Sequence, residues 1–185
     1  MKVKKFSIKN VLLFEPHIHL DDRGYFYENF NKKSFHKNTG IETEFVQENQ
    51  SFSKKNVLRG LHYQIPPFEQ GKLIKVLEGS IFDVAVDIRK NSKTFLSWIG
   101  EELTAKNHKQ LWIPPGFAHG FLVLSNSASI SYKTTNFYSP KHERSIIWND
   151  SKINIIWPNV SNIQLSNKDT TAPKTDSLEL SEFLI

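Results

Sequence analysis

The chain contains no cysteine, which excludes a disulfide framework and any thiolate metal site. Long hydrophobic runs are missing too. The start, MKVKKFSIKNVLLFEP, carries basic residues, but its only apolar stretch is Val11 to Phe14, far short of a signal peptide's h-region. No membrane-spanning run occurs anywhere. A soluble cytoplasmic protein with no membrane partner is therefore expected. Internal repeats, low-complexity segments and long amphipathic helices are also absent. The net charge of +5 and pI near 9.3 raise the question of nucleic acid, but the lysines are scattered among Asp and Glu and form no basic stripe. No nucleic-acid partner is expected; a small anionic ligand or a solvated lysine-rich surface accounts for the balance.

What is present favours strands. Phenylalanine occurs 14 times, and Gly and Pro recur at intervals, a profile that suits strands and turns better than helix bundles. At 185 residues the chain suits one domain over 1–185, with the tail from about 173 loosely held. Short apolar alternations predict about nine strands: 25–30, 45–49, 57–64, 73–77, 81–89, 110–113, 120–124, 129–135 and 153–157. In the fifth, Phe82, Val84, Val86 and Ile88 share an apolar face, with Asp83, Asp87 and Arg89 on the other. Asn31 is placed to cap a short helix over 32–37 that ends before Gly40, and a weak helical segment falls at 177–183. The fold class is all-β, a jelly roll or related barrel with a few short peripheral helices.

Two stretches carry polar residues that packing does not require. The first is Val57-Leu58-Arg59-Gly60-Leu61-His62-Tyr63-Gln64. On a straight strand Arg59 and His62 point to opposite faces, but a bulge at Gly60 would turn both into one cavity. The second is Trp112-Ile113-Pro114-Pro115-Gly116-Phe117-Ala118-His119, where a rigid turn delivers His119 into the next strand. Each histidine alone is equally consistent with a structural role. Together the two stretches resemble the paired motifs of the cupin superfamily, whose metal-binding members usually place two histidines one residue apart in the first motif. Here that position is Gln64, a much weaker ligand, so no metal is expected. Phe45, Gln47 and Asn49 share one strand face, as do Ile130 and Tyr132, which suits a lined pocket.

The ordered series Asp21-Asp22-Arg23-Gly24, Leu58 to Gln64, Gln70-Gly71-Lys72-Leu73, Asp83 to Arg89, Trp112 to Phe121, Tyr132-Lys133-Thr134-Thr135, Trp148-Asn149-Asp150 and Ser166-Asn167-Lys168-Asp169 resembles the dTDP-4-dehydrorhamnose 3,5-epimerase family over most of the chain. The resemblance implies a cupin-type jelly roll, a homodimer, no cofactor and a dTDP-linked 4-keto-6-deoxy sugar as substrate, inverted at carbons 3 and 5. Relatives that invert a single carbon are the alternative. It implies His62 as base, Asp169 as its orienting partner, Tyr132 as acid and Lys72 as a donor near the carbonyl. It further implies Arg23, Glu28, Gln47, Asn49, Arg59, His119, Tyr138, Glu143 and Lys168 as substrate-binding residues. The chemistry is coherent. A hydrogen beside a ketone leaves as a proton if the enolate charge is held by positioned donors, and inversion needs a second acid across the ring from the base. One departure is His19, which stands where the family's pattern has phenylalanine, so packing against the nucleotide base is altered there.

Overall fold

In the computed structural model, which describes residues 1–178, two antiparallel sheets face each other. The first contains β1 (Lys2–Lys5), β2 (Leu12–Glu15), β10 (Gln110–Ile113), β7 (Lys72–Glu78), β12 (Ser127–Thr134) and β5 (Gln47–Lys54), in that order. The second contains β13 (Glu143–Ser145), β6 (Leu58–Gln64), β11 (Phe117–Val123), β8 (Ser80–Asp87) and β9 (Trp98–Thr104). A separate hairpin, β3 (His19–Asp21) and β4 (Gly24–Phe26), stands apart from both. The architecture is the expected jelly roll. Among the described residues no helix is long and apolar enough to cross a membrane.

Apolar side chains are divided among three clusters, and this division explains how the layers hold. Leu13, Ile74, Val76, Ile81, Leu111, Phe121, Val123 and Ile130 fill the space between the sheets. Leu12, Phe14, Leu73 and Trp112 face outward from the first sheet and are covered by Phe35 of helix α1 (Lys32–Thr39), whose ring meets Trp112 edge-on at 5.0 Å. The second sheet turns Leu61, Val84, Val86 and Ile88 outward against Ile146 and Ile153. Helix α1 starts where Asn31 accepts from the Ser34 amide at 3.1 Å and stops at Gly40, which adopts φ +71°.

Several expectations need correction. Strand β8 is buried on both faces: its apolar face packs outward, while Ile81, Asp83 and Ala85 face the barrel interior. The two aspartates tolerate this because each is hydrogen-bonded, Asp83 by His119 and Asp87 by Arg89, Ser92 and Thr94. The segment 153–157 is not a strand. Asp150 takes the backbone amides of Lys152 and Ile153, which closes a turn and leaves the segment as an irregular cover. The strand expected over 25–30 pairs only as far as Phe26, and that expected from Phe45 begins at Gln47, because Phe45 packs on α1 instead. β1, β2, β3, β9 and β13 were not expected. Their short or polar sequences give weak alternation.

Residues 173–175 are tied to the body of the domain. The Ile147 amide donates to the Pro173 carbonyl, and Thr175 donates both its amide and its hydroxyl to the buried Asp150 carboxylate at 2.8 and 3.0 Å. The helical segment expected over 177–183 lies mostly outside the described residues, just after a 3₁₀ turn at Thr175–Ser177.

Asp150→Ala leaves these buried donors unpaired and is expected to cost about 2–4 kcal/mol in urea denaturation. Burial raises the Asp150 carboxyl, but its hydrogen bonds outweigh that and hold it below the ordinary 3.8. The stability gap between wild type and variant is therefore full above that pH and closes as the pH falls below it.

Candidate active site

Strands β6 and β11 meet at two glycines. A Cβ on Gly60, which adopts φ +127°, would lie 2.5 Å from the Gly120 Cα, so a side chain there would hold the strands apart. The pairing register shifts at this point: His119 stands opposite His62, whereas Phe121 stands opposite Arg59. The shift turns Arg59 and His62 into the same cavity, as the Gly60 bulge predicts.

The cavity has a volume of about 370 Å³ and opens between the two sheets. His62 and His119 come from the second sheet; Gln47, Asn49, Lys72 and Tyr132 come from the first. Arg59, Tyr138 and Glu143 add to its polar lining, and Phe121 and Ile130 add apolar surface. The face shared by Gln47 and Asn49 is held by a 2.8 Å hydrogen bond between the two amides, and Asn49 stands directly opposite Tyr132 in the β5–β12 pairing.

His62 is backed by a carboxylate 107 positions later. The Gln164 backbone pairs with Asn56 and Leu58, which lays the C-terminal segment along β6. Helix α2 (Asn167–Thr170) begins three residues on, capped by Ser166, and presents Asp169 to His62 with Nε2 2.5 Å from Oδ1. The other Asp169 oxygen accepts from the Ser166 hydroxyl at 2.8 Å. Burial raises the Asp169 carboxyl, yet the His62 and Ser166 hydrogen bonds outweigh that and keep it ionised below the ordinary carboxylate range. A carboxylate only accepts, so Nε2 carries the proton and Nδ1 of neutral His62 keeps its lone pair for a base's work.

Lys72 is buried, and its Nζ lies 3.4 Å from the His62 carbonyl oxygen. Burial pushes its ammonium down to about 8, with the charges of Asp83 and Glu143 opposing the fall. Burial pushes the Tyr132 phenol up, so it holds its proton through neutral pH. Glu143 accepts from Tyr138 at 2.8 Å and pairs with Lys168 at 2.6 Å, which places Lys168 at the rim.

Two expected site residues lie elsewhere. Arg23 is exposed on the β3–β4 hairpin and forks onto Asp21, while Glu28 accepts from Asn31 at the start of α1. Neither lines the cavity of its own chain. His19 shares the hairpin, edge-on to His17 at 4.6 Å. Conversely, sequence reasoning passed over Asp83, which binds His119 from behind at 2.7 Å. Its signal was an acid in an otherwise apolar strand, on the face opposite Phe82, Val84 and Val86, where the structure also has it. Among the described residues no group of three or more His, Asp or Glu side chains is arranged to hold a metal ion.

The dTDP-4-dehydrorhamnose 3,5-epimerase family model matches residues 5–177. The enzyme of that name from Shigella flexneri is 56% identical over 174 residues, covering 94% of this chain and 96% of that protein. A crystal structure of dTDP-6-deoxy-D-glucose-3,5-epimerase from Legionella pneumophila in complex with dTDP-4-keto-L-rhamnose superposes with a TM-score of 0.96 at 45% identity, covering 99% of this chain and 97% of that one. A 3'-monoepimerase from Streptomyces bikiniensis, in complex with dTDP-quinovose, superposes with a TM-score of 0.86 at 33% identity, covering 92% and 86%.

Gly60→Ala is expected to destabilise the protein by about 2–4 kcal/mol in urea denaturation, because both the backbone conformation and the Gly120 contact oppose a side chain. It should also disturb the His62 imidazole resonances. A variant as stable as the wild type would mean that the two strands are not held in contact there.

Proposed function

The chain belongs to the dTDP-4-dehydrorhamnose 3,5-epimerase family, and from that premise we propose that it inverts carbons 3 and 5 of dTDP-4-dehydro-6-deoxy-D-glucose to give dTDP-4-dehydro-L-rhamnose. The observation that carries the proposal is a carboxylate-backed imidazole on one sheet and a proton-bearing phenol on the opposing sheet, both lining one cavity.

In this reading His62 removes the proton from a carbon next to the 4-keto group, and the electron pair of the broken C–H bond moves onto the ketone oxygen. Lys72 meets the enolate charge. Asp169 stabilises the imidazolium that forms, without taking the proton itself. Tyr132 then donates its proton to the other face of the carbon, the enolate collapses back to the ketone, and solvent returns both side chains to their starting protonation. Repeating the cycle at the second flanking carbon completes the double inversion. Arg59 and Lys168 answer the pyrophosphate, where a guanidinium fork gives directional hydrogen bonds. The setting is cytoplasmic and the working unit a homodimer. Arg23 and the exposed Leu20, Tyr25 and Phe26 on the hairpin support that unit, since a hairpin reaching into a second copy would cover its apolar face and bring Arg23 to the partner cavity.

Turnover in deuterated water should place deuterium at both carbons; exchange at carbon 3 alone would replace the double inversion with a single one. His62→Ala is expected to lower kcat by about 10³-fold, within the usual range for a general base. Tyr132→Phe should still exchange deuterium through His62 but return it to the same face, so exchange outlasts inversion. For the dimer, Arg23→Ala and His62→Ala proteins are mixed and reassociated. Mixed dimers then hold one intact site, and activity should rise above that of either parent. No rise would place Arg23 outside the partner cavity.

A further inference from the structure

Glu143 lines the cavity, Asp169 and Asp83 each hold one of its histidines, and two of these three carboxylates are fully engaged. Glu143 accepts from Tyr138 and pairs with Lys168; Asp169 gives one oxygen to His62 and the other to Ser166. Asp83 differs. It projects inward from β8, is completely buried, and accepts from His119 Nε2 through Oδ1 alone, while Oδ2 is buried with no hydrogen-bond partner. A half-satisfied buried carboxylate is costly unless a nearby positive charge compensates it. Lys72 is the buried ammonium on which the charges of Asp83 and Glu143 act, and it shares the cavity lining with Arg59, His62, His119, Tyr132 and Glu143; of the two carboxylates, Asp83 is the one with an uncommitted oxygen. His62 and His119 stand opposite each other in the β6–β11 pairing, so each imidazole of the cavity is held from behind by its own carboxylate.

We propose that Asp83 is a positioning residue for the epimerisation: it fixes the His119 ring and supplies the counter-charge that keeps the Lys72 ammonium where the enolate oxygen forms. The inference rests on the epimerase reading of the cavity. Asp83 touches no reacting atom in this scheme and acts through Lys72 and His119. Removing its charge while keeping its shape leaves Lys72 buried with less compensation, so the amine gives up its proton at lower pH and the enolate loses its cation earlier on the alkaline side.

The test compares the pH profile of kcat in wild type, Asp83→Asn and Asp83→Glu, each shown to be folded by circular dichroism, with dTDP-4-dehydro-6-deoxy-D-glucose as substrate. In the wild type the alkaline limb should follow Lys72 near pH 8. Asp83→Asn should lower kcat about tenfold to a hundredfold with little change in KM and move that limb down by about one pH unit. Asp83→Glu keeps the charge and should keep the limb. An active wild type whose limb is unmoved in Asp83→Asn overturns the role of Asp83 alone. If Asp83→Asn does not fold, Asp83→Glu decides: an unmoved limb supports the proposal and a lowered one overturns it. A wild type inactive on this substrate overturns the epimerase reading and, with it, this inference.

Discussion

The cavity depends on two strands touching where neither carries a side chain. Gly60 and Gly120 let β6 and β11 approach closely, and the register shift there places Arg59 and His62, three positions apart, on one surface. Without the shift, strand alternation would send one of them to the opposite face. The same contact sets His62 against His119 and leaves Leu61 facing outward, where it joins the cluster covered by Ile146 and Ile153. A local backbone choice thus decides both which residues face the cavity and which residues close the outer face of the sheet.

The buried charges follow one pattern. His62 is held by Asp169, His119 by Asp83, and Arg89 by Asp87, in each case with the carboxylate nearly or completely buried. Burying an ion pair gains little by itself, because desolvation offsets the attraction. What it secures is orientation: a ring held from one side presents its other nitrogen in a fixed direction. At Arg89 the pair serves structure, since its carboxylate also takes Ser92 and Thr94 and the guanidinium lies over Phe117. At the two histidines it faces a cavity.

Much of this was legible in the sequence, for reasons that differ from residue to residue. Gly60 between Arg59 and His62 marked a bulge, because an apolar strand interrupted by those three residues has no packing explanation. Asn31 and Gly40 marked the ends of α1 by ordinary cap chemistry. Asp169 was different. Nothing in its spacing ties it to a histidine 107 positions earlier, and only resemblance named it, because the pairing depends on the C-terminal segment lying along β6. Asp83 was passed over for a different reason: the alternation of this strand marks one apolar face and leaves the cover on the other unspecified, and β8 is covered on both sides. Period-2 patterning separates two faces but does not say that the polar one is wet.

Inversion next to a ketone has a geometric demand that this barrel meets through its layers. The base and the acid must approach one carbon from opposite faces of the sugar ring, and two facing sheets supply two walls with a gap between them. His62 on β6 and Tyr132 on β12 occupy those walls, and Lys72, on the same sheet as Tyr132, lies 3.4 Å from the His62 carbonyl oxygen. Such an arrangement favours no particular carbon. In the proposed scheme any hydrogen flanking the ketone that the ring can bring between the walls is open to the same pair of groups. Under the proposed roles, how many centres are inverted depends on the freedom of the ring to turn within the cavity.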